Sequence, residues 1–201
     1  MTEQKRIGQQ IAFIAEVDKL KGVLRKSCPI GLSRRENSAE HSWQVILTAF
    51  MLAEHANQDI NLLKVVQMLA IHDVVEIDTG DTMHYLKDQI PDLHEQEERA
   101  ARRIFAMLPE DQGEQYLNLW LEFEAMETAE AQFAIAVDRL MAFIMNIHNE
   151  GGTWQEFGIK SEQVLDKNKH AARGSKQIWE LMQSFVKEAQ GKGYFKTEQG
   201  E

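Results

Sequence analysis

Apolar residues recur at three- and four-residue steps along most of the chain, which is the spacing of amphipathic helices. The first such segment carries Ile7, Ile11, Ile14, Val17, Leu20 and Leu24. Residues 42–56 are apolar on nearly every side, so we expect a central, buried helix there. Asn61 is a good N-cap for a third helix, which we expect to run through His72 to Ile77.

The second half of the chain continues the helical pattern. We expect further helices between Pro91 and Pro109 and over residues 111–126, 128–150, 161–172 and 175–189. Residues 191–201 are polar and are expected to form a flexible tail. With no strand pair or internal repeat, the pattern predicts an all-α fold. We expect one domain over residues 1–201, with about seven or eight helices and a core at about 10–185.

Composition and charge limit the partners. The 201 residues are 43% hydrophobic and 27% charged, enough for a sizeable core. The formal net charge of -10 repels duplex phosphate, so a nucleic-acid polymer is not expected as a partner. A small anionic substrate is still compatible with this net charge, because a bound metal ion can determine the electrostatic potential of one pocket. A single cysteine, no signal peptide and no membrane-length apolar run favour a cytoplasmic protein without a membrane partner.

Three places put metal-ligand side chains into apolar surroundings. These are His41, the adjacent pair His72 and Asp73, and Asp138. A buried Asp138 needs a partner, which could be a metal, Arg139 or backbone donors. In a regular helix the side chains of adjacent residues diverge by about 100°, so His72 and Asp73 reach one ion only if it lies close over the backbone between them. A buried histidine beside a helix-end aspartate is the alternative interpretation.

Two more carboxylates follow the His-Asp pair. Glu76 lies four residues after His72 and three after Asp73, steps that bring side chains to one side of a helix. It is therefore a candidate for proton transfer, although a solvated turn would also explain it. Asp81, after Gly80, is a candidate for the same rim, with a loop carboxylate or helix cap as the alternative.

The order of these residues resembles that of the HD-domain metal-dependent phosphohydrolases. The neighbouring motifs are similar to the branch that contains 5'-deoxynucleotidases, and the similarity covers roughly residues 10–185. The motifs are RENSAEHSW at 35–43, HDVVE at 72–76, Gly80-Asp81, AEA at 129–131 and VDR at 137–139.

The resemblance implies a helical HD-domain bundle and a single metal site. One divalent cation would be held by His41, His72, Asp73 and Asp138. This mixed nitrogen and oxygen set suits Mn, Co, Fe, Zn or Ni better than Mg. The resemblance also ties the acidic residues matching Glu76 and Asp81 to catalysis or substrate positioning. It ties an arginine upstream of the first histidine, here Arg34 or Arg35, to phosphate binding.

The implied activity is hydrolysis of (deoxy)ribonucleoside 5'-monophosphates to nucleoside and phosphate. Another nucleotide phosphohydrolase or phosphodiesterase, or a non-catalytic metal- or nucleotide-binding sensor, is the alternative. The branch uses a basic-aromatic pair near the end of the first helix, where this chain has Leu24-Arg25-Lys26-Ser27 without a tryptophan. That difference leaves the choice between deoxyribose and ribose open. The partner is a small nucleotide, and apolar faces on the C-terminal helices are compatible with a homodimer.

Overall fold

The structure, a computed structural model, describes residues 2–195 except for the side chain of residue 88. The longer helices are α1 Glu3–Val17, α2 Ser38–Leu52, α3 Leu62–Ile71, α4 Leu93–Phe105, α5 Glu110–Ala125, α6 Ala129–His148, α7 Ser161–Asn168 and α8 Lys176–Lys192. Short helical turns are Asp18–Gly22, Ala53–His55, Glu76–Thr79, His84–Gln89, Gly152–Glu156 and Ala171–Gly174. The all-α prediction is confirmed.

The longest helix, α6, lies at the centre of the core. It packs against α2, α3, α5 and α8 and against the turn Ala171–Gly174. Most of its side chains are buried, including Phe133, Val137 and Leu140. Because neighbours surround this helix, the charge of Asp138 is enclosed by protein.

Helix α2 begins at a capping box that places His41 in the first helical turn. The backbone N–H of Glu40 donates to the Asn37 side chain at 3.0 Å, and the Asn37 N–H donates to the Glu40 carboxylate at 2.8 Å. Together these bonds satisfy two backbone donors at the helix start. The helix therefore begins at Ser38, before the apolar run that suggested it.

The expectation that α2 is buried on all sides is wrong. Val45 and Ala49 are fully buried, but Trp43 is 65% exposed and Met51 is 64% exposed. The physical reason is that α2 packs with one face on α3 and α6. Its other face carries an apolar row at the surface.

Helix α3 ends at Ile71, earlier than expected, and this break shapes the site. The next residues form turns until a short helix, Glu76–Thr79, ends at Gly80. Gly80 has a φ of +73°, a conformation that glycine adopts without the strain of a Cβ. His72 and Asp73 therefore lie on a turn after the end of α3.

The end of the chain is more ordered than the polar composition suggested. Helix α8 continues to Lys192, and the ring of Phe195 stacks on Trp154 with centroids 5.0 Å apart. The rest of the predicted flexible tail, residues 196–201, lies outside the described residues.

No helix between residues 2 and 195 combines the length and apolar character needed to cross a bilayer.

A close backbone contact at Gly174 fixes α6 against the C-terminal helices. A Cβ at this position would lie 2.1 Å from the carbonyl oxygen of Gln132 and 2.7 Å from the nitrogen of Phe133. Both neighbours are backbone atoms, so a larger residue cannot be accommodated by side-chain rotation. Any substitution must move the start of α6, the helix that carries Asp138.

We expect Gly174→Ala to lower the free energy of unfolding by about 3 kcal/mol, because overpacking forces backbone shifts. Urea denaturation followed by circular dichroism measures the change. Gly191→Ala in α8 is the matched control, since no atom lies within 4 Å of its added Cβ. That control should be neutral or stabilising by up to about 1 kcal/mol. Equal stability of the two variants would contradict the proposed close contact.

Candidate metal centre

Four side chains from three segments meet at one point in the core. The Nε2 atom of His41 lies 2.8 Å from Oδ1 of Asp138, and Nε2 of His72 lies 3.7 Å from the same oxygen. Asp73 completes the group, with Oδ1 3.2 Å from His72 Nε2 and Oδ2 3.9 Å from His41 Nε2. Potential ligand atoms of His41, His72 and Asp73 all lie within 4.8 Å of one another. The structure thus brings together the four residues that the sequence nominated as metal ligands.

The hydrogen-bond pattern of the backbone changes where His72 and Asp73 lie. His72 keeps helical dihedral angles, but the Val74 N–H donates to the Ile71 carbonyl and the Glu76 N–H to the Asp73 carbonyl, so the α-helical pattern ends here. Here the backbone turns after Ile71, and Trp120 donates its indole N–H to the His72 carbonyl at 3.2 Å. That bond satisfies a backbone acceptor that the broken helix leaves without its usual partner.

The orientation of His72 fits a metal ligand. Its Nδ1–H donates to the carbonyl of Leu69 at 2.9 Å, which leaves Nε2 facing the two aspartates. Nε2 is buried and makes no hydrogen bond of acceptable geometry. A buried nitrogen that faces two carboxylates and lies beside a second imidazole matches the donor set of a divalent transition-metal ion. The residues present therefore fit the cation that the sequence predicts.

The charges of this group stabilise one another in the metal-free protein. Burial alone would lower the pKa of His72, but the carboxylates of Asp73 and Asp138 outweigh it and raise that pKa to about 9. Burial opposes ionisation of Asp138, yet Arg139 and the two histidines hold its pKa well below the usual range. A proton on His72 thus occupies the position where a cation would compensate the same carboxylates.

Metal affinity should therefore rise with pH. A ligand histidine must lose its proton to bind a metal, and His72 with a pKa of about 9 is protonated below that value. We expect the apparent Kd for Mn²⁺ to fall by up to about tenfold per pH unit between pH 6 and 8, with release of about one proton. Isothermal titration calorimetry in buffers of different ionisation enthalpy measures both quantities. An affinity independent of pH would show that His72 does not exchange a proton for the ion.

Glu76 and Asp81 lie beside the metal group in the same cavity. Glu76 is buried and accepts a hydrogen bond from the Ser38 hydroxyl at 2.5 Å. Burial, reinforced by the nearby Asp73, raises the pKa of Glu76 to about 8. Burial also raises the pKa of Asp81. Both carboxylates are therefore close enough to the centre to take part in its chemistry.

A buried arginine that sequence reasoning did not select also enters the site. Arg25 contacts Asp73 Oδ2 with Nη1 at 2.7 Å, Asp81 Oδ1 at 3.8 Å and, through Nε, Glu36 Oε2 at 3.3 Å. Its backbone N–H donates to the Glu36 carbonyl at 2.8 Å, which ties this segment to the start of α2. The sequence feature that could have identified Arg25 is the basic pair Arg25-Lys26 at the end of the first helical region.

Arg34 and Arg35 lie elsewhere. Arg34 makes a two-point contact with the Glu40 carboxylate at 2.6 and 2.9 Å, and Arg35 pairs with Glu156. Neither is among the residues that line the cavity over the metal group. Their predicted role in phosphate binding stays a prediction.

The cavity has about 960 Å³ of empty space, counted to its open mouth. Its lining includes Arg25, His72, Asp73, Glu76, Asp81, Glu97, Glu124, Asp138 and Arg139. The arrangement therefore provides a potential cation site, further carboxylates and cationic side chains around one open cavity.

Comparison with known proteins identifies the family. The family model described as HD domain matches residues 17–179. The chain therefore belongs to the HD-domain family, and the recognition made from its sequence motifs is confirmed.

Solved and curated relatives extend this result. A crystal structure from Magnetospirillum magnetotacticum MS-1, described as a "predicted metal-dependent phosphohydrolase", is 43% identical, with 96% of each chain covered and a TM-score of 0.90. A 5'-deoxynucleotidase of Erwinia tasmaniensis is 29% identical over 87% of this chain and 90% of its own length. The 5'-deoxynucleotidase HDDC2 of Bos taurus is 27% identical over 73% of each chain. These names agree with the predicted enzyme class.

Proposed function

We propose that this protein is a metal-dependent phosphohydrolase that converts (deoxy)ribonucleoside 5'-monophosphates to nucleosides and inorganic phosphate. The observation that carries the proposal is the meeting of His41, His72, Asp73 and Asp138 at an open cavity lined by further charged side chains. The names of the Erwinia tasmaniensis and Bos taurus relatives support the substrate class.

Two imidazoles and two carboxylates would hold one divalent cation. The donors are His41, His72, Asp73 and Asp138, a set that suits Mn, Co, Fe, Zn or Ni. When bound, such an ion supplies Lewis-acid polarisation of the phosphoryl group and lowers the pKa of water. The remaining chemistry rests on the neighbouring protein side chains.

Glu76 would accept a proton from the attacking water. Ser38 donates a hydrogen bond that fixes one carboxylate oxygen. In the free protein the pKa of about 8 leaves this carboxyl mostly protonated at pH 7. Positive charge added beside Asp73 favours the ionised form, so the loaded site would provide a base that accepts a proton from water. Asp81, on the same rim, would orient the substrate.

Arg25 is the side chain best placed to hold the phosphate. Its guanidinium lines the cavity, contacts the Asp73 carboxylate and is 18% exposed at the side chain. The planar fork of a guanidinium matches two phosphate oxygens, and its permanent charge balances the dianion. Arg34 and Arg35 were predicted for this role from the sequence. Substitution of each arginine distinguishes them from Arg25.

A homodimer and a cytoplasmic location belong to the same proposal. The exposed apolar row on α2 supports association of two copies, because large apolar side chains at a surface favour burial. The row consists of Trp43, Leu47, Phe50 and Met51. From the sequence, apolar faces on the C-terminal helices are also compatible with a dimer, and α8 exposes Leu181 there. The single cysteine, Cys28, agrees with a reducing compartment.

Two substitutions separate metal binding from proton transfer. We expect Asp73→Ala to lose bound Mn²⁺ and nucleotidase activity, because it removes a charged ligand. Glu76→Gln should keep the metal and lower kcat by about 100-fold or more, the usual contribution of a general base. Metal content by mass spectrometry and phosphate release from deoxynucleoside monophosphates measure the two effects.

Asp59→Ala, at an exposed position away from the cavity, is the matched control and should behave as wild type. Turnover retained by Asp73→Ala would overturn the ligand assignment. Metal lost from Glu76→Gln would instead make Glu76 a ligand.

Matched arginine substitutions identify the phosphate contact. We expect Arg25→Gln to raise KM for a nucleoside monophosphate by about tenfold or more, as expected from the loss of a charge-assisted contact. Arg34→Gln and Arg35→Gln should leave KM within about twofold, since neither residue lines the cavity over the metal group. Steady-state kinetics with saturating Mn²⁺ gives the comparison. A raised KM in either of those two variants, with Arg25→Gln unaffected, would restore the choice made from the sequence.

A further inference from the structure

The cavity over the metal group is also lined by four charged side chains from other elements. They are Lys87 from the turn His84–Gln89, Glu97 from α4, Glu124 from α5 and Arg139 from α6. Of the four, only Arg139 has an ion pair with a predicted metal ligand, at 3.7 Å from Asp138 Oδ2. This set, the second charged group, is therefore available for contacts with the part of the substrate that is not phosphate.

Two members of the second charged group, Lys87 and Glu97, form an ion pair with each other. Lys87 Nζ lies 3.0 Å from Glu97 Oε1, and the Glu97 carboxylate is buried whereas Lys87 is partly exposed. Arg139 and Glu124 have no such arrangement. The Nε of Arg139 is buried without a hydrogen-bond partner, and Glu124 makes no hydrogen bond or ion pair with the side chains that the structure describes.

Arg139 has one ion pair, at 3.7 Å to Asp138, so most of its N–H donors remain available, and Glu124 has no hydrogen bond or ion pair among the described side chains. Two groups of opposite character with unused hydrogen-bonding capacity in one cavity indicate a ligand that complements both. Arg139 offers N–H donors only, and an ionised carboxylate at Glu124 offers acceptors only. Burial raises the pKa of Glu124, whereas Lys87 and Arg139 favour its ionised form. A ligand that satisfies the two must therefore present an acceptor to one and donors to the other.

We propose that Arg139 and Glu124 recognise the base of the substrate and select guanine. This inference rests on the proposed nucleotidase function. The carbonyl oxygen O6 of guanine would accept from the Arg139 guanidinium. The adjacent N1–H and N2–H groups would donate to the two oxygens of Glu124.

Other bases fit this pair less well. Adenine has no carbonyl oxygen, and thymine and uracil offer one N–H between two carbonyls. Cytosine presents an amino group without a second adjacent N–H donor. Each of these bases would leave part of the Arg139 and Glu124 pair unsatisfied, and buried unsatisfied polar groups are the basis of strong discrimination.

A second cation is the competing occupant. Potential ligand atoms of His94, Glu97 and Glu124 lie within 4.8 Å of one another. However, the ammonium of Lys87 already supplies positive charge at Glu97, and His94 is exposed. These observations favour a polar organic ligand over a metal at this position.

The test compares substrates that differ only in the base edge. With wild-type protein and Mn²⁺, we expect kcat/KM for deoxyguanosine monophosphate to exceed that for deoxyadenosine monophosphate by about tenfold or more. Deoxyinosine monophosphate keeps O6 and N1–H but lacks the amino group, so its value should fall between them. Deoxycytidine and thymidine monophosphates complete the series.

Variants then assign the preference to the two side chains. Glu124→Gln and Arg139→Gln should each lower the ratio of guanine to adenine substrate toward one. Glu124→Gln should also abolish the difference between the guanine and hypoxanthine substrates. The matched controls are Glu127→Gln and Arg99→Gln, exposed residues that do not line the cavity and should keep the wild-type ratio.

Each outcome decides the inference. Equal kcat/KM for all bases in the wild-type protein would overturn base selection while leaving the nucleotidase proposal intact. Release of phosphate from none of the nucleotides would contradict the nucleotidase proposal itself. Mn²⁺ binding that falls from two ions to one in Glu124→Gln would assign the group to a cation instead. If a variant fails to fold, the wild-type comparison of guanine, hypoxanthine and adenine substrates remains decisive.

Discussion

The buried carboxylate of Asp138 is the constraint on which the site and its surroundings depend. A charge in the middle of an apolar helix is costly unless opposite charge or hydrogen bonds compensate it. Here compensation comes from His41 at 2.8 Å, from His72 and from Arg139. Because these partners come from α2, from the turn after α3 and from α6 itself, the charge couples the packing of three segments to one point.

The end of α3 lies at the same point. After Ile71 the backbone continues in turns closed by i to i+3 hydrogen bonds, such as that from the Val74 N–H to the Ile71 carbonyl. The change of pattern leaves the His72 carbonyl without its α-helical partner, and the buried indole of Trp120 donates to it. The packing of α5 is thus tied to the segment that carries His72 and Asp73.

The four residues nominated from the sequence as metal ligands do meet at one point, whereas the prediction of which helix faces are buried was less accurate. The ligands follow from motifs whose order resembles that of a known family, so the prediction did not depend on where each helix packs. The buried face of α2 could not be derived from the sequence, because apolar residues occur on both faces of this helix. Val45 is buried and Trp43 is exposed, yet the apolar pattern does not distinguish them. Arg25 was missed because its position depends on a non-local bridge between Leu24 and Asn37.

The electrostatics of the cavity differ from those of the whole chain. A net charge of -10 predicts repulsion of anions, yet Arg25, Lys26, Lys87 and Arg139 all line one cavity. Six carboxylates line the same cavity, and a divalent cation would offset the charge of two of them, Asp73 and Asp138, so that the remaining acidic and basic side chains balance. At short range in a partly buried site, these neighbours outweigh distant surface charges that solvent and salt screen. Binding of an anionic nucleotide is therefore decided by the composition of the cavity wall, and the acidic surface mainly disfavours extended polyanions.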